Sequence, residues 1–253
     1  MKKHLTFGFE LETGLEGKDA LNSLPCGDYH EPITLNEFWR CEHDGSLHVG
    51  YEERNENYTL RIVELTTPTF TLDQLPFLEK TFKSLLAKYE IERIILNDSM
   101  GAHVHFSLPE NNFYHLLPIE TMKKIRVNSF DFIKKTYPET FGLYYRHYFR
   151  SYAKRLTKRN YGRDRYQEFN FTSNTGAEWR SFNLLHLQPI TPLERTTKEI
   201  FRSLSGALKI LENTILTDYQ NGFSFENSIK MHRNPEIKKI TDDLNQFLNN
   251  YHV

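Results

Sequence analysis

From Gly101 to Leu108 the side chains alternate without a break, with His103, His105 and Ser107 on one side of an extended chain and Ala102, Val104, Phe106 and Leu108 on the other. A period of two fits a half-buried strand and not a helix. The polar side of that strand then carries two imidazoles and a hydroxyl that must meet solvent, metal or ligand. Three other segments repeat the arrangement. Leu5 to Leu11 sets Phe7, Phe9 and Leu11 on one side, with Glu10 and Glu12 opposite, and strand rise separates those two carboxylates by about 7 Å. Arg61 to Leu65 holds Glu64 in an otherwise apolar run, where an ionised carboxylate is costly unless it is paired or metal-bound. Glu178 to Asn183 puts Glu178 and Arg180 on a shared face, and the Arg180 guanidinium has the fork geometry that suits phosphate oxygens.

Around these strands the punctuation predicts a single domain. A loop-rich stretch follows β-like Leu5–Leu11 and ends in the turn His43-Asp44-Gly45-Ser46. Leu47–Glu53 and Thr59–Leu65 read as a hairpin about Arg54–Asn57, and Ile91–Leu96 as a short buried strand. Helical spacing covers Thr71–Tyr89 and Ile119–Lys135. Glu168–Phe171 and Ala177–Leu184 read as a second hairpin about Ser173–Gly176. Two helices that open on prolines, Pro192–Leu216 and Pro235–Asn250, are expected to finish the chain. The expectation is one α+β domain over residues 1–253, with an antiparallel sheet and a helical part from about 192 to 253.

Composition narrows the function classes. A chain of 253 residues, 38% hydrophobic, buries a sizeable core. Its formal net charge of −1 lacks the basic excess of a general nucleic-acid or membrane binder. One basic island, Arg146–Arg165, includes Arg150, Lys154 and Arg155 and is a candidate phosphate- or substrate-neutralising surface. Cys26 and Cys41 form no CxxC pair and read as incidental thiols. The amino terminus reaches Glu10 too early for a signal peptide, and no run has membrane-span length, so the cytoplasm is the default location.

Singly, each strand has an ordinary structural reading. Glu10 and Glu12 suit the solvated face of an edge strand, and Glu178 with Arg180 suits a cross-strand ion pair. Four such strands together make a polar sheet face, and Glu with His on one face suits a metal–phosphate site. The order Glu10-Leu11-Glu12, Glu64, Gly101-Ala102-His103-Val104-His105-Phe106-Ser107-Leu108 and Glu178-Trp179-Arg180, with Asp44-Gly45-Ser46-Leu47 before Glu64, resembles the amidoligases of the glutamine synthetase and γ-glutamylcysteine ligase superfamily. The resemblance spans roughly residues 5 to 185, and its GxHxHxSL element is the specific part.

The resemblance implies a curved antiparallel sheet like the glutamine synthetase catalytic domain, with helices packed on its outer face. ATP and Mg²⁺, or Mn²⁺, would be the cofactors. By matching position, Glu12 and Glu64 would bind one metal, and Glu10, His103 and Glu178 another. Arg180, with Glu178 and Glu64, would serve catalysis and contact the acyl-phosphate. His105, Ser107 and Arg180 would sit beside the nucleotide; separately from the resemblance, Arg155 of the basic island is a candidate nucleotide contact. The implied activity is ATP-dependent ligation of a carboxylate to an amine on a small molecule, a peptide or a cell-wall fragment, and a homo-oligomer stays open. A metal-dependent hydrolase or phosphotransferase on the same sheet, or a catalytically silent binding protein, are the alternatives.

Overall fold

A computed structural model describes residues 5–50, 55–107, 119–148, 168–170, 177–190 and 192–220 of this chain. Its organising element is β1 (Thr6–Gly17). One edge of β1 pairs with β4 (Thr59–Thr66), and the other pairs first with β6 (Ala102–Ser107) and then with β5 (Ile91–Ile95). Beyond β4 lie β3 (Arg40–Glu42) and β2 (Ile33–Thr34), and beyond β6 lie β8 (Ala177–Trp179) and β7 (Phe169–Asn170). The path is β2-β3-β4-β1-β6-β8-β7, and each of these pairings is antiparallel. The chain is thus α+β, built on an open antiparallel sheet.

The pleat divides the chain chemically. Phe7, Phe9, Leu11, Val63, Leu65, Val104 and Phe106 point to one face and are buried. Helices α1 (Leu75–Lys88), α2 (Ile119–Thr136) and α4 (Leu193–Gln220) contribute Leu78, Phe82, Met122, Ile125, Leu204 and Leu208 to the same core. The short α3 (Phe141–Arg146) adds Tyr144. Trp39 is the joint of this core: its ring meets Phe9 from the sheet, Phe82 from α1 and Phe201 from α4, and its indole N–H donates to the Leu78 carbonyl at 3.2 Å. Before α1, Thr71 and Gln74 form a capping box that satisfies the backbone N–H groups exposed at a helix start, and Pro76 occupies its first turn.

The structure corrects the described half of the expected Leu47–Glu53 strand, of which residues 51–53 lie outside the described residues. Residues 47–50 join no ladder, and β3, from the stretch read as loop, is the strand beside β4. The alternation of Leu47 and Val49 has another cause, which is burial against the sheet face. Val49 packs on Ile95 and Met100, with Leu60 and Ile62 beside them, over Gly14, where a β-carbon would come within 3.0 Å of Val49. The expected strand Ala177–Leu184 also ends early. After Trp179 the chain turns, with the Arg180 N–H donating to the Glu168 carbonyl at 2.9 Å, and a 3₁₀ turn follows at Leu185–Leu187. Arg54, Phe171, the turn Ser173–Gly176, the helix Pro235–Asn250 and basic-island residues Arg150 to Arg165, Arg155 among them, lie outside the described residues. No helix among the described residues is long and apolar enough to cross a membrane.

Candidate metal-binding site

Opposite the core, the ladder registers build a polar face rung by rung. On one rung Glu42, Glu64 and Glu12 stand side by side on β3, β4 and β1. On the next, Glu10 stands opposite His103. On the third, His105 stands opposite Glu178, which stands opposite Asn170. Each of these residues comes from a strand whose alternate side chains are buried on the other face, so the core that fixes the strands also fixes the site.

Asp44 reaches the same face from outside the sheet. The crossing segment that follows it is tied down at His48, whose carbonyl accepts from Asn97 Nδ2 and Ser99 Oγ, each at 2.9 Å. Asp44 itself stabilises the turn by accepting the Ser46 N–H at 2.8 Å. The result is a cleft of about 410 Å³ lined by Glu10, Glu12, Glu42, Asp44, Glu64, Glu178, His103, Asn170 and Arg180, with Tyr29 and His30 from the β1–β2 connection. Six carboxylates there face one guanidinium and two imidazoles.

The carboxylates sort into two groups. Glu12, Asp44 and Glu64 bring one oxygen each within 4.8 Å of one another, and Glu10, His105 and Glu178 do the same with two oxygens and a ring nitrogen. His103 lies between them. Its Nδ1 is 3.1 Å from Glu10 and 3.3 Å from Glu178. Its Nε2 is buried without a hydrogen-bond partner, on the side where a β-carbon at Gly101 would meet it at 2.9 Å and Glu12 Oε2 at 2.6 Å. All five expected metal ligands, Glu10, Glu12, Glu64, His103 and Glu178, therefore line one cleft. The group about Glu10 and Glu178 also takes in His105, which the sequence assigned beside a nucleotide.

Charge and burial set the protonation states. Burial disfavours an ionised Glu10, but the charges of His105 and His103 and their N–H donations outweigh it and hold the carboxyl well below the usual range. At Glu64 burial, then the neighbouring Glu10, Glu12 and Glu42 carboxylates, outweigh the charge of His103 and push it up to about 9. Glu12 and Glu42 are raised as well, in each case by burial first. Burial works against a charged His103, yet Glu12, Glu10 and Glu178 raise it to about 9, and Glu10 raises His105 against the same opposition. Glu178 is held by Arg180, which donates to Oε1 at 2.7 Å, and by Asn170, which donates to Oε2 at 2.9 Å.

Such a site has an excess of oxygen ligands and too little positive charge. A buried Glu42 Oε2 and a buried His103 Nε2, both without hydrogen-bond partners, are the open valences that hard divalent cations satisfy in mixed carboxylate–imidazole sites. The residues fit Mg²⁺ or Mn²⁺, with Glu12, Asp44 and Glu64 able to hold one ion and Glu10, Glu178 and a histidine another.

Ser107 lies on the polar face but outside this cleft. Its hydroxyl is 2.8 Å from Thr6 Oγ1, and it lines an adjoining cleft of about 410 Å³ with Arg40, Thr66 and Thr67. The two clefts share Glu10. The sequence reading assigned no role to Glu42 or Asp44, although the alternation Cys41-Glu42-His43-Asp44 puts both carboxylates on one side. That signal was masked by the surrounding loop composition. Comparison with protein-family models, with curated proteins and with solved structures finds no match.

Proposed function

We propose that the chain is an ATP-dependent carboxylate–amine ligase of the glutamine synthetase-like type, with the polar sheet face as its active site. The observation that carries the reading is the pairing of two acidic clusters in one cleft with Arg180 at its edge. The order of the strands that deliver them is the order of the amidoligase motifs, which supports a glutamine synthetase-like arrangement of the sheet.

A carboxylate is a poor electrophile, and phosphorylation by ATP gives it a leaving group that an amine displaces. The difficulty is electrostatic, because an anionic acceptor must approach a γ-phosphoryl group. Bound divalent cations would supply the charge neutralisation for that approach. Arg180 is anchored by Glu178 and lines the cleft, where its guanidinium would hold an equatorial phosphoryl oxygen and then the acyl-phosphate. Glu64 and Glu12 would hold one of those cations, and Glu10, braced by two histidines, keeps the neighbouring group of ligands in place. The adjoining cleft extends the face far enough to take a second substrate.

The first test needs no knowledge of the substrate. ADP with Mg²⁺ or Mn²⁺ at about a hundred times its dissociation constant should stabilise the fold by about 2.7 kcal/mol, a rise of several degrees in Tm. Glu12→Gln should lose that rise. No shift in the wild type with either metal would sink the reading. Phosphate release from ATP that depends on an added amine then separates a ligase from a hydrolase or phosphotransferase on the same sheet.

A further inference from the structure

Cys26 and Cys41 are 15 residues apart in sequence, but the fold sets them side by side. The connection carrying Cys26 runs along β3: the Gly27 N–H donates to the Cys41 carbonyl at 3.0 Å, and the His43 N–H donates to the Gly27 carbonyl at 2.9 Å. Gly27 lets the connection fold back on itself, since a β-carbon there would come within 1.9 Å of the Glu31 carbonyl oxygen. The two thiols are in hydrogen-bond contact, with sulfurs 2.7 Å apart. Cys41 is buried in the core and Cys26 is partly open to solvent.

Residues near the pair in sequence line the candidate metal cleft. Tyr29 and His30 line the cleft and follow Cys26 on the same connection, and Glu42, the next residue after Cys41, lines it from β3. We propose that Cys26 and Cys41 are a modification site, a vicinal dithiol that small-molecule disulfides convert into an internal disulfide joining the 26–31 connection to β3.

The exchange balances in two steps. The Cys26 thiolate, the exposed partner, attacks one sulfur of the small disulfide, forming a mixed disulfide and releasing one small thiolate, which takes up the proton that Cys26 gave. Cys41 then loses its proton and its sulfur attacks Cys26 Sγ, breaking the mixed disulfide and releasing a second small thiol. One small disulfide is reduced to two thiols, and the protein loses two hydrogens. Cys26 is the partner that a small disulfide can reach, which makes it the attacking sulfur. The inference stands independently of the ligase reading.

The test is to equilibrate the full chain with mixtures of reduced and oxidised glutathione, alkylate the remaining thiols, and read intact and peptide masses. The expected product is a Cys26–Cys41 cross-linked peptide without bound glutathione, preceded by a transient adduct on Cys26, with a Tm several degrees above the reduced form that dithiothreitol reverses. Cys41→Ser should stop at a stable glutathione adduct on Cys26. Wild-type protein that keeps both thiols free in excess oxidised glutathione, or that itself stops at the adduct, overturns the proposal, and neither outcome depends on whether Cys41→Ser folds.

Discussion

His103 is the residue at which the two acidic groups meet, with one ring nitrogen toward Glu10 and Glu178 and the other on the Glu12 side. Its protonation and that of Glu64 give the metal-free protein a defined pH response. Glu64, at about 9 in the fold against an ordinary 4.5, keeps a proton that the unfolded chain releases, so its contribution to stability falls as pH rises from about 4.5 to 9. His103, raised from 6.5 to about 9, stabilises the fold fully below 6.5 and loses that contribution as pH climbs through 9. The Tm of metal-free protein should therefore decline between pH 6.5 and 9, and the Tm rise on adding Mn²⁺ should grow across the same window because the ion replaces those protons. A metal-free Tm that is flat over this range would contradict the assignment. Gly101→Ala should press first on the ends of the Glu12 and His103 side chains, which must shift, and not on backbone. It should weaken Mn²⁺ binding by on the order of tenfold, as displaced supporting groups do in other metal sites, measured by titration calorimetry. Most of this site was legible because Glu10, Glu12, Glu64, His103, His105 and Glu178 each sit in a strand whose alternation announces its buried side. Asp44 was legible only as part of a motif, since a loop residue has no periodicity to say which way it faces.

At the scale of elements, α2 and the segment entering β7 are joined by a buried ion pair. Arg126 Nε donates to Glu168 Oε1 at 2.9 Å, a second guanidinium N–H donates to Glu168 Oε2, and Glu168 is fully buried. Arg126→Met should cost about 3–5 kcal/mol in chemical denaturation by removing the Arg126 guanidinium from a buried carboxylate, and the double change Arg126→Met with Glu168→Leu should recover much of it. The expected helices Thr71–Tyr89, Ile119–Lys135 and Pro192–Leu216 match α1, α2 and α4 to within a few residues, because a long amphipathic period leaves little ambiguity, whereas the six-residue α3 is too short to show one. The short strands were not. β2 and β3 span two and three residues, too few for a pattern, and they exist because β4 offers them an edge. The opposite error at residues 47–50 has the same root: Leu47 and Val49 alternate because one side of an extended segment is buried, and burial against a sheet face writes the same pattern as pairing within a sheet. Which of the two occurs depends on partners far away in sequence.

For the molecule as a whole, Trp39 ties the sheet to two helices across one core. Trp39→Ala should destabilise the fold by about 3–5 kcal/mol, read as a lower denaturant midpoint common to sheet and helix signals. Separate transitions for the two signals would mean that sheet and helices are not one cooperative unit. The central strand has a further consequence, because β1 supplies Phe7, Phe9 and Leu11 to the core and Glu10 and Glu12 to the cleft from alternate positions. Inserting or deleting one residue there would exchange the two faces, sending carboxylates into the core and phenylalanines into the cleft. Descendants of this sequence are thus held to the length of β1 as firmly as to the carboxylates it presents. A change of spacing there would undo core and cleft together, where a substitution touches one of them.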